Sequence, residues 1–523
     1  MKRIFPMNRV EGDLKITLET DKGVVSEAWS SGTMYRGFEN IMLGRGSLDG
    51  LVITPRICGI CSTSHLYAAA KALDMICQTD IPDNAVRVRN ICLMTEMIQN
   101  DVRHAALLFM PDFCNSRYAD SQLSEEAFRR YAQLKGQMAI ETIRESKKLI
   151  EIIAILGGQW PHSSFMVPGG VVCVPGATDI SNCRYLLNTF RRWYEKRFLG
   201  CGIERWSEVR SMADLNVWLD ESESHRNSEL GFFIRFSKEA GLDKIGRGCG
   251  HFISFGALDM PDHTEIKSLN GGKTLLPAGF DLTPFHQRNI TEDISHSWFG
   301  GPSEPKHPFE GVTKPYATGS EDKRYSWAKA PRYEGLPAET GPLADMIIAG
   351  HPLLLNLAEI SGGVSVFTRQ LARMIRPALL IPFADIWLKE ISAAKENFFK
   401  DYEMPESGDG FGLTQAPRGA VGHWVKIRDS QIEKYQIITP TAWNASPRDS
   451  NGFRGPWEEA LIGVEIRDDD NPIEAQHIIR SFDPCLVCTV HAIHPSPDPS
   501  PERRGESSIY SPFPFREGGW GVR

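Results

Sequence analysis

Nothing in this sequence of 523 residues is apolar for long enough to cross a bilayer as a helix, which takes about 18 to 20 residues. The richest stretch, Pro377 to Trp387, is short and is interrupted by Pro382 and Asp385. Met1-Lys2-Arg3-Ile4-Phe5-Pro6 is not followed by an apolar run, so no signal peptide is visible. These absences predict a cytoplasmic chain, or one associated with a membrane through a partner. Neither sign of charge dominates: 58 Lys and Arg stand against 66 Asp and Glu, a net charge of −8. No basic face follows from that balance, so nucleic acid is not an expected partner. Cysteine is sparse and odd in number; eleven in 523 residues is not a disulfide scaffold. There is no internal repeat, no heptad run and no strand–helix alternation of the kind a nucleotide-binding sheet needs.

What is present is enough apolar residue, 41%, to bury a large core, and a length that calls for more than one packed layer. Leu14, Ile16 and Leu18, then Asp21-Lys22-Gly23, then Val25 and Ala28 alternate as a β-hairpin does. Residues 57–200 carry helical periodicity, including one long amphipathic segment from Ser124 to Leu156 with acidic residues in its first turn, and a helix from Asp179 to Phe198. Residues 201–340 are rich in Gly and Pro and predict strands, hairpins and loops. Helix returns over 341–402, and 403–491 predicts short strands and turns. The fold class expected is α+β and predominantly α-helical, with a minor antiparallel β component, in one unit spanning 1–491. Residues 492–523 hold prolines at 495, 497, 499 and 501 and cannot build a core; they predict an extended C-terminal extension.

Four cysteines stand out from the rest. They lie in Arg56-Ile57-Cys58-Gly59-Ile60-Cys61-Ser62-Thr63-Ser64-His65 and in Asp483-Pro484-Cys485-Leu486-Val487-Cys488-Thr489-Val490-His491. Two residues between two cysteines bring both sulfurs to one side of a turn. Two such pairs make four soft ligands, which select Zn, Fe or Ni over Mg or Ca. A structural zinc site is the plain reading of four paired cysteines. Zinc ribbons, however, space their pairs by about 15–20 residues, and here the pairs lie near opposite ends of the globular region. Thioredoxin-like redox chemistry lacks its βαβ surroundings. The other seven (Cys77, Cys92, Cys114, Cys173, Cys183, Cys201, Cys249) read as free thiols acting as small hydrophobes. Asn270-Gly271-Gly272-Lys273-Thr274 reads as a hairpin turn, because Lys267 stands where a phosphate loop needs its first Gly.

The motif pair Arg-x-Cys-Gly-x-Cys-x-x-x-His and Asp-Pro-Cys-x-x-Cys-x-x-His resembles that of nickel–iron hydrogenase large subunits, most like the uptake branch that includes cyanobacterial and actinobacterial enzymes. Arg9-Val10-Glu11-Gly12, Arg36-Gly37-Phe38-Glu39, Pro161-His162-Ser163, Val167-Pro168-Gly169-Gly170, Ala416-Pro417-Arg418-Gly419 and Thr441-Ala442-Trp443-Asn444 resemble family segments in family order. Residues 200–340 resemble it least. The likeness implies a core of long helices with peripheral antiparallel sheets around a Ni–Fe(CN)2(CO) centre. It implies Cys58 and Cys485 as terminal nickel ligands and Cys61 and Cys488 as bridges to iron. Glu11 would relay the proton from the Cys485 sulfur, as a carboxyl group with a raised pKa can. Arg418 would hang over the open metal position, flanked by Asp101 and Asp483. His65 would hydrogen-bond a bridging thiolate and tune its charge. Glu39 and His491 would hold Mg2+.

By the same likeness the reaction is heterolytic cleavage of H2, favoured in the direction of oxidation. The two electrons need iron–sulfur clusters that no spare group of cysteines here can hold, which implies an iron–sulfur small subunit as partner and an acceptor such as a quinone pool beyond it. Nickel-insertion proteins and a maturation endopeptidase cutting between His491 and Ala492 are the implied processing partners. Ile60, between the first cysteines, would line the gas route and confer modest oxygen tolerance. The rival readings are a regulatory H2 sensor of the same fold, a structural subunit related to respiratory complex I, and a zinc-stabilised scaffold. Relatives of the complex I kind have lost the four cysteines, sensors lack the extension, and metal analysis separates the scaffold.

Overall fold

A computed structural model describes residues 1–489, except 134, 257, 264–270, 276–281, 302–303, 319–322, 361–362 and 392–396; the side chains of 271–275 and 282 are outside the description. The chain is predominantly helical with small antiparallel sheets, as the sequence predicts. The helices Ser62–Cys77, Asp83–Arg103, Gln137–Gly157, Ala177–Trp193 and Val366–Glu390 share one continuous apolar core. Three three-stranded sheets lie around it: Lys2–Pro6, Leu14–Asp21 and Val24–Gly32; Phe252–Gly256, Gly271–Leu275 and Leu282–Pro284; and Gly408–Ala416, Gly419–Arg428 and Gln431–Ile438. Among the described residues no single helix is long and apolar enough to cross a membrane.

Several elements differ from expectation. The single helix expected from Ser124 to Leu156 is two, Ser124–Tyr131 and Gln137–Gly157. Ala132 leaves helical geometry, and Gly136 lies so close to the preceding turn that a Cβ there would stand 2.4 Å from the Arg130 carbonyl oxygen. The first part of the expected strand-and-loop region is helical: Ile203–Trp206, Met212–Glu221, Glu223–Asn227 and Glu229–Ala240. Ser211, Ser222 and Ser228 cap the last three, each accepting from a backbone N–H of the first turn. Those caps outweigh the Gly-rich composition that suggested loops. Within the expected turns of 403–491 the helix Ile473–Ser481 leads into the second cysteine pair. Gly271–Thr274 form a strand and not a turn; Asn270 lies outside the described residues.

Two features of this fold bring distant residues to one place. The helix Ser62–Cys77, which starts directly after Cys61, packs against the strand Gly408–Ala416 through Gly408, Gly410 and Gly412. A Cβ on Gly412 would stand 1.9 Å from the Ala68 carbonyl oxygen, so only glycine admits this approach. At the other end of the chain, the N-terminal segment runs alongside the second cysteine pair as a parallel bridge, Glu11 opposite Cys485. Glu11 donates its N–H to the Pro484 carbonyl at 3.3 Å, and Leu486 N–H donates to the Glu11 carbonyl at 2.6 Å.

Candidate metal centre

The four paired cysteines converge. Cys58 Sγ lies 3.6 Å from Cys485 Sγ, Cys61 Sγ 3.3 Å from Cys488 Sγ, and Cys485 and Cys488 are 3.0 Å apart. All four sulfurs lie within 4.8 Å of one another, are buried, and are free thiols. The condition on which the sequence reading hangs, that the early and late pairs meet, is satisfied. Cys58 follows the short helical turn Thr54–Arg56, and its sulfur accepts the Ile60 N–H at 3.3 Å. Cys61 caps the helix Ser62–Cys77. Cys485 is fixed by its N–H to Thr441 Oγ1, at 3.1 Å, and Cys488 sits in the single turn Leu486–Thr489.

Four thiols this close cannot all ionise in isolation. Hydrogen bonds from the other three sulfurs, with the positive charge of Arg418 nearby, hold the Cys58 thiol well below its ordinary range. Cys61, with Cys485 as the first cause, and Cys488, through burial first, are pushed well above it. The buried Arg418 guanidinium is the compensating charge. Its Nε lies 3.0 Å from Asp483 Oδ1, and none of its three nitrogens has a hydrogen-bond partner among the described residues. A buried guanidinium whose terminal nitrogens have no hydrogen-bond partner among the described residues, beside four thiols, fits a site that takes an electron-rich metal group between them. Burial opposes the Asp483 charge, but Arg418, His104, Arg373 and the Asn100 amide at 2.8 Å outweigh it and hold the carboxyl at about 2.

Glu11 is partly buried, and its carboxyl is raised by burial first, then by the Cys58 charge. That is the direction a proton carrier needs. Asp101 pairs directly with Arg376, whose guanidinium also holds the Pro417 carbonyl beside Arg418. Its two oxygens accept from Arg376 Nε and Nη2 at 2.9 and 2.8 Å, because the helix Val366–Glu390 presents that fork directly opposite. His65 is buried, and its Nδ1 meets His423 Nε2 at 3.1 Å instead of a thiolate; burial drives its pKa down to about 4, keeping the ring neutral. Glu39 is buried, and donors surround its carboxylate: Ile437 N–H donates to it at 3.0 Å, Lys329 Nζ lies at 3.0 Å, and Thr313 donates as well. Its oxygens suit Mg2+, with Lys329 now the cation beside it. His491, the second expected Mg2+ ligand, lies outside the described residues, as do residues 492–523.

Sequence reasoning missed Arg376, Arg373 and Glu96. Arg373 Nη1 donates to the Ser481 carbonyl at 2.9 Å, two residues before Asp483. Glu96 accepts from Thr63 N–H at 2.8 Å, Ser64 N–H at 3.0 Å and Ser64 Oγ at 2.8 Å, so it fastens the first turn after Cys61. The available signal was Arg369, Arg373 and Arg376 at helical spacing among apolar neighbours, all buried.

A model of the nickel-dependent hydrogenase family matches residues 36–139 and 232–491. The chain is 32% identical to the periplasmic [NiFeSe] hydrogenase large subunit of Desulfomicrobium baculatum, over 94% of this chain and 95% of that one. It is 28% identical to the uptake hydrogenase large subunit of Rhodobacter capsulatus, over 94% and 95%. Among solved structures, the H2-activated [NiFeSe]-hydrogenase of Dm. baculatum superposes with a TM-score of 0.79 at 29% identity, covering 94% of this chain and 100% of that one.

Proposed function

The chain belongs to the nickel-dependent hydrogenase family, as a hydrogenase large subunit, and from that premise we propose that it oxidises H2 and hands the electrons to an iron–sulfur small subunit. The carrying observation is four buried sulfurs within 4.8 Å beside a guanidinium without hydrogen-bond partners. When bound, a Ni–Fe(CN)2(CO) group supplies the redox chemistry that splits H2 heterolytically. Cys58, Cys61, Cys485 and Cys488 would hold that group through their four sulfurs.

The chain's own residues then have separate tasks. Arg418 keeps a fixed positive charge at the sulfurs and polarises H2 as it arrives. Asp483 neutralises Arg418 and orients it. The Cys485 sulfur takes the proton, and Glu11 receives it; the main chains of those two residues pair, and burial keeps the carboxyl protonatable. Asp101 and His65 act from behind, through Arg376 and His423. Among the described residues no second group of three or more metal-ligating side chains of this kind comes together, which supports placing the clusters in the partner. Glu39 and His491 bind Mg2+, sharing Glu39 with Lys329. Residues 492–523 are removed by an endopeptidase after nickel insertion. A quinone pool is the acceptor class, and the large subunit works in the cytoplasm or against a membrane through its partners. Ile60 narrows the gas route and gives modest oxygen tolerance.

Metal analysis and infrared absorption of the purified complex test this. Nickel and iron together, with bands of metal-bound CO and cyanide, support it. Zinc without nickel or iron overturns it.

A further inference from the structure

Arg418 sits at the tip of a hairpin. Ala416 pairs with Gly419, so Pro417 and Arg418 form a two-residue turn between the strands Gly408–Ala416 and Gly419–Arg428. Hairpin tips are ordinarily mobile and solvent-exposed; this one is buried, and among the described residues the guanidinium it carries meets only the Asp483 carboxylate, 3.0 Å from its Nε. The position of that guanidinium therefore depends on Asp483 at one end and on the backbone it springs from at the other. Pro417 has no N–H, which leaves its carbonyl as the anchor, and Arg376 Nη2 donates to that carbonyl at 2.6 Å. The same guanidinium forks onto Asp101 at 2.9 and 2.8 Å and reaches Asp345 Oδ2 at 3.2 Å. Asp345 in turn accepts from the Gln415 amide, a second tie to the same arm of the hairpin.

We propose that Arg376 is a positioning residue for Arg418, fixing its guanidinium against the sulfurs through the Pro417 carbonyl, and that Asp101 acts by bracing Arg376. This deepens the hydrogenase reading and rests on it for its kinetic part. A buried ion pair contributes little net stability compared with apolar packing of the same volume. An ion pair that also grips the residue before the working arginine has placement as its use. The neighbouring arginine repeats the pattern one turn earlier on the helix Val366–Glu390: Arg373 holds the Ser481 carbonyl, just before Asp483. One face of one helix thus holds the backbone on both sides of the Arg418–Asp483 pair.

The test compares R376K, R418K and R376K/R418K as complete complexes with the small subunit. Lysine keeps the buried charge, and so the fold, but cannot reach Asp101 and Pro417 together. R376K is expected to retain nickel and iron. It should lose about ten- to a hundredfold in kcat with KM for H2 unchanged, since a displacement of about 1 Å at a reacting site costs about that much. R376K/R418K should be no slower than R418K alone, and a crystal structure of R376K should show the Arg418 guanidinium displaced from the sulfurs. D101N should give a smaller loss of the same kind. A wild-type rate in R376K, losses that multiply in the double variant, an unmoved Arg418, or loss of nickel from R376K would each overturn the proposal. Failure of the hydrogenase reading shows separately, as zinc or no H2 turnover in the wild-type complex, and leaves the displacement of Arg418 still measurable.

Discussion

The two cysteine pairs are chemically alike and structurally opposite. Cys58 and Cys61 stand at the head of a 16-residue helix whose buried side chains belong to the main core. Glu96 grips its first turn, and a glycine-faced strand lies flush along its length. Cys485 and Cys488 ride on a single turn, held by Thr441 Oγ1, by the Arg36 guanidinium on the Val487 carbonyl at 3.2 Å, by Thr439 against Thr489, and by main-chain bonds to the N-terminal segment at Glu11. Both pairs lie in the main core; the first is built in on a long helix, the second latched in by a single turn. A metal that needs both pairs therefore draws one from a long helix and the other from a single turn, whose main-chain protection should depend more on the metal.

The largest test of this contrast removes a ligand from each half. C58S and C485S should both lose nickel, and with it H2 turnover by more than about a hundredfold, since even partners of a ligand cost up to about that much. The halves should differ in the metal-free protein: hydrogen exchange at Leu486–Thr489 should be fast without metal and slow with it, while the helix Ser62–Cys77 is protected in both. Equal protection of the two segments without metal would end the distinction.

Next in size is the proposed proton exit through Glu11, whose main chain pairs with Cys485 and whose carboxyl feels the Cys58 charge. E11Q should retain nickel and iron yet slow H2 oxidation by about a hundredfold to ten-thousandfold, the usual worth of a positioned proton carrier. Isotope exchange within the site should fall far less than oxidation does. An E11Q enzyme at wild-type rate would remove Glu11 from the route.

A smaller effect sharpens the built-in half. G412A forces a methyl group against the Ala68 carbonyl, and overpacking of this kind costs about 1 to 3 kcal/mol. Chemical denaturation reads the cost directly. Because the displaced helix begins at Cys61, nickel content at equal protein should drop too; an alanine variant as stable and as nickel-rich as wild type would show that the strand does not seat the helix.

The built-in and latched halves were not equally legible. The sulfurs themselves were, because Cys-x-x-Cys spacing has few uses and both motifs are contiguous. Glu11 and Arg418 were legible because short motifs surround them. Arg376 and Glu96 were not: each acts on main chain some tens of residues away, and a lone Arg or Glu inside a helix has no local signature. Asp101 illustrates the limit, since its motif placed it near the site while the partner it holds, Arg376, could be found only in three dimensions. The helices from Ile203 to Ala240 were hidden for a different reason. They are short and separated by serine caps, and Gly-rich flanks mask so brief a periodicity.

The finest test turns on Glu96. Burial pushes its carboxyl up to about 7, against the hydrogen bonds from Thr63 and Ser64 that favour the charge. The folded chain therefore keeps a proton that the unfolded chain releases near 4.5. That contribution to stability is full below about pH 4.5 and is lost as pH rises through about 7. E96Q cannot ionise, so its stability relative to wild type should improve steadily across that interval and level off above it. At the acid end the glutamine should be the weaker, because its NH2 faces backbone N–H groups that need acceptors, at a cost of about 1 to 3 kcal/mol. Thermal denaturation of both proteins at pH 4.5 and pH 8 measures the crossing. A constant difference between the two curves would mean that Glu96 is ionised throughout, and that the first turn after Cys61 is fastened by a charge and not by a shared proton.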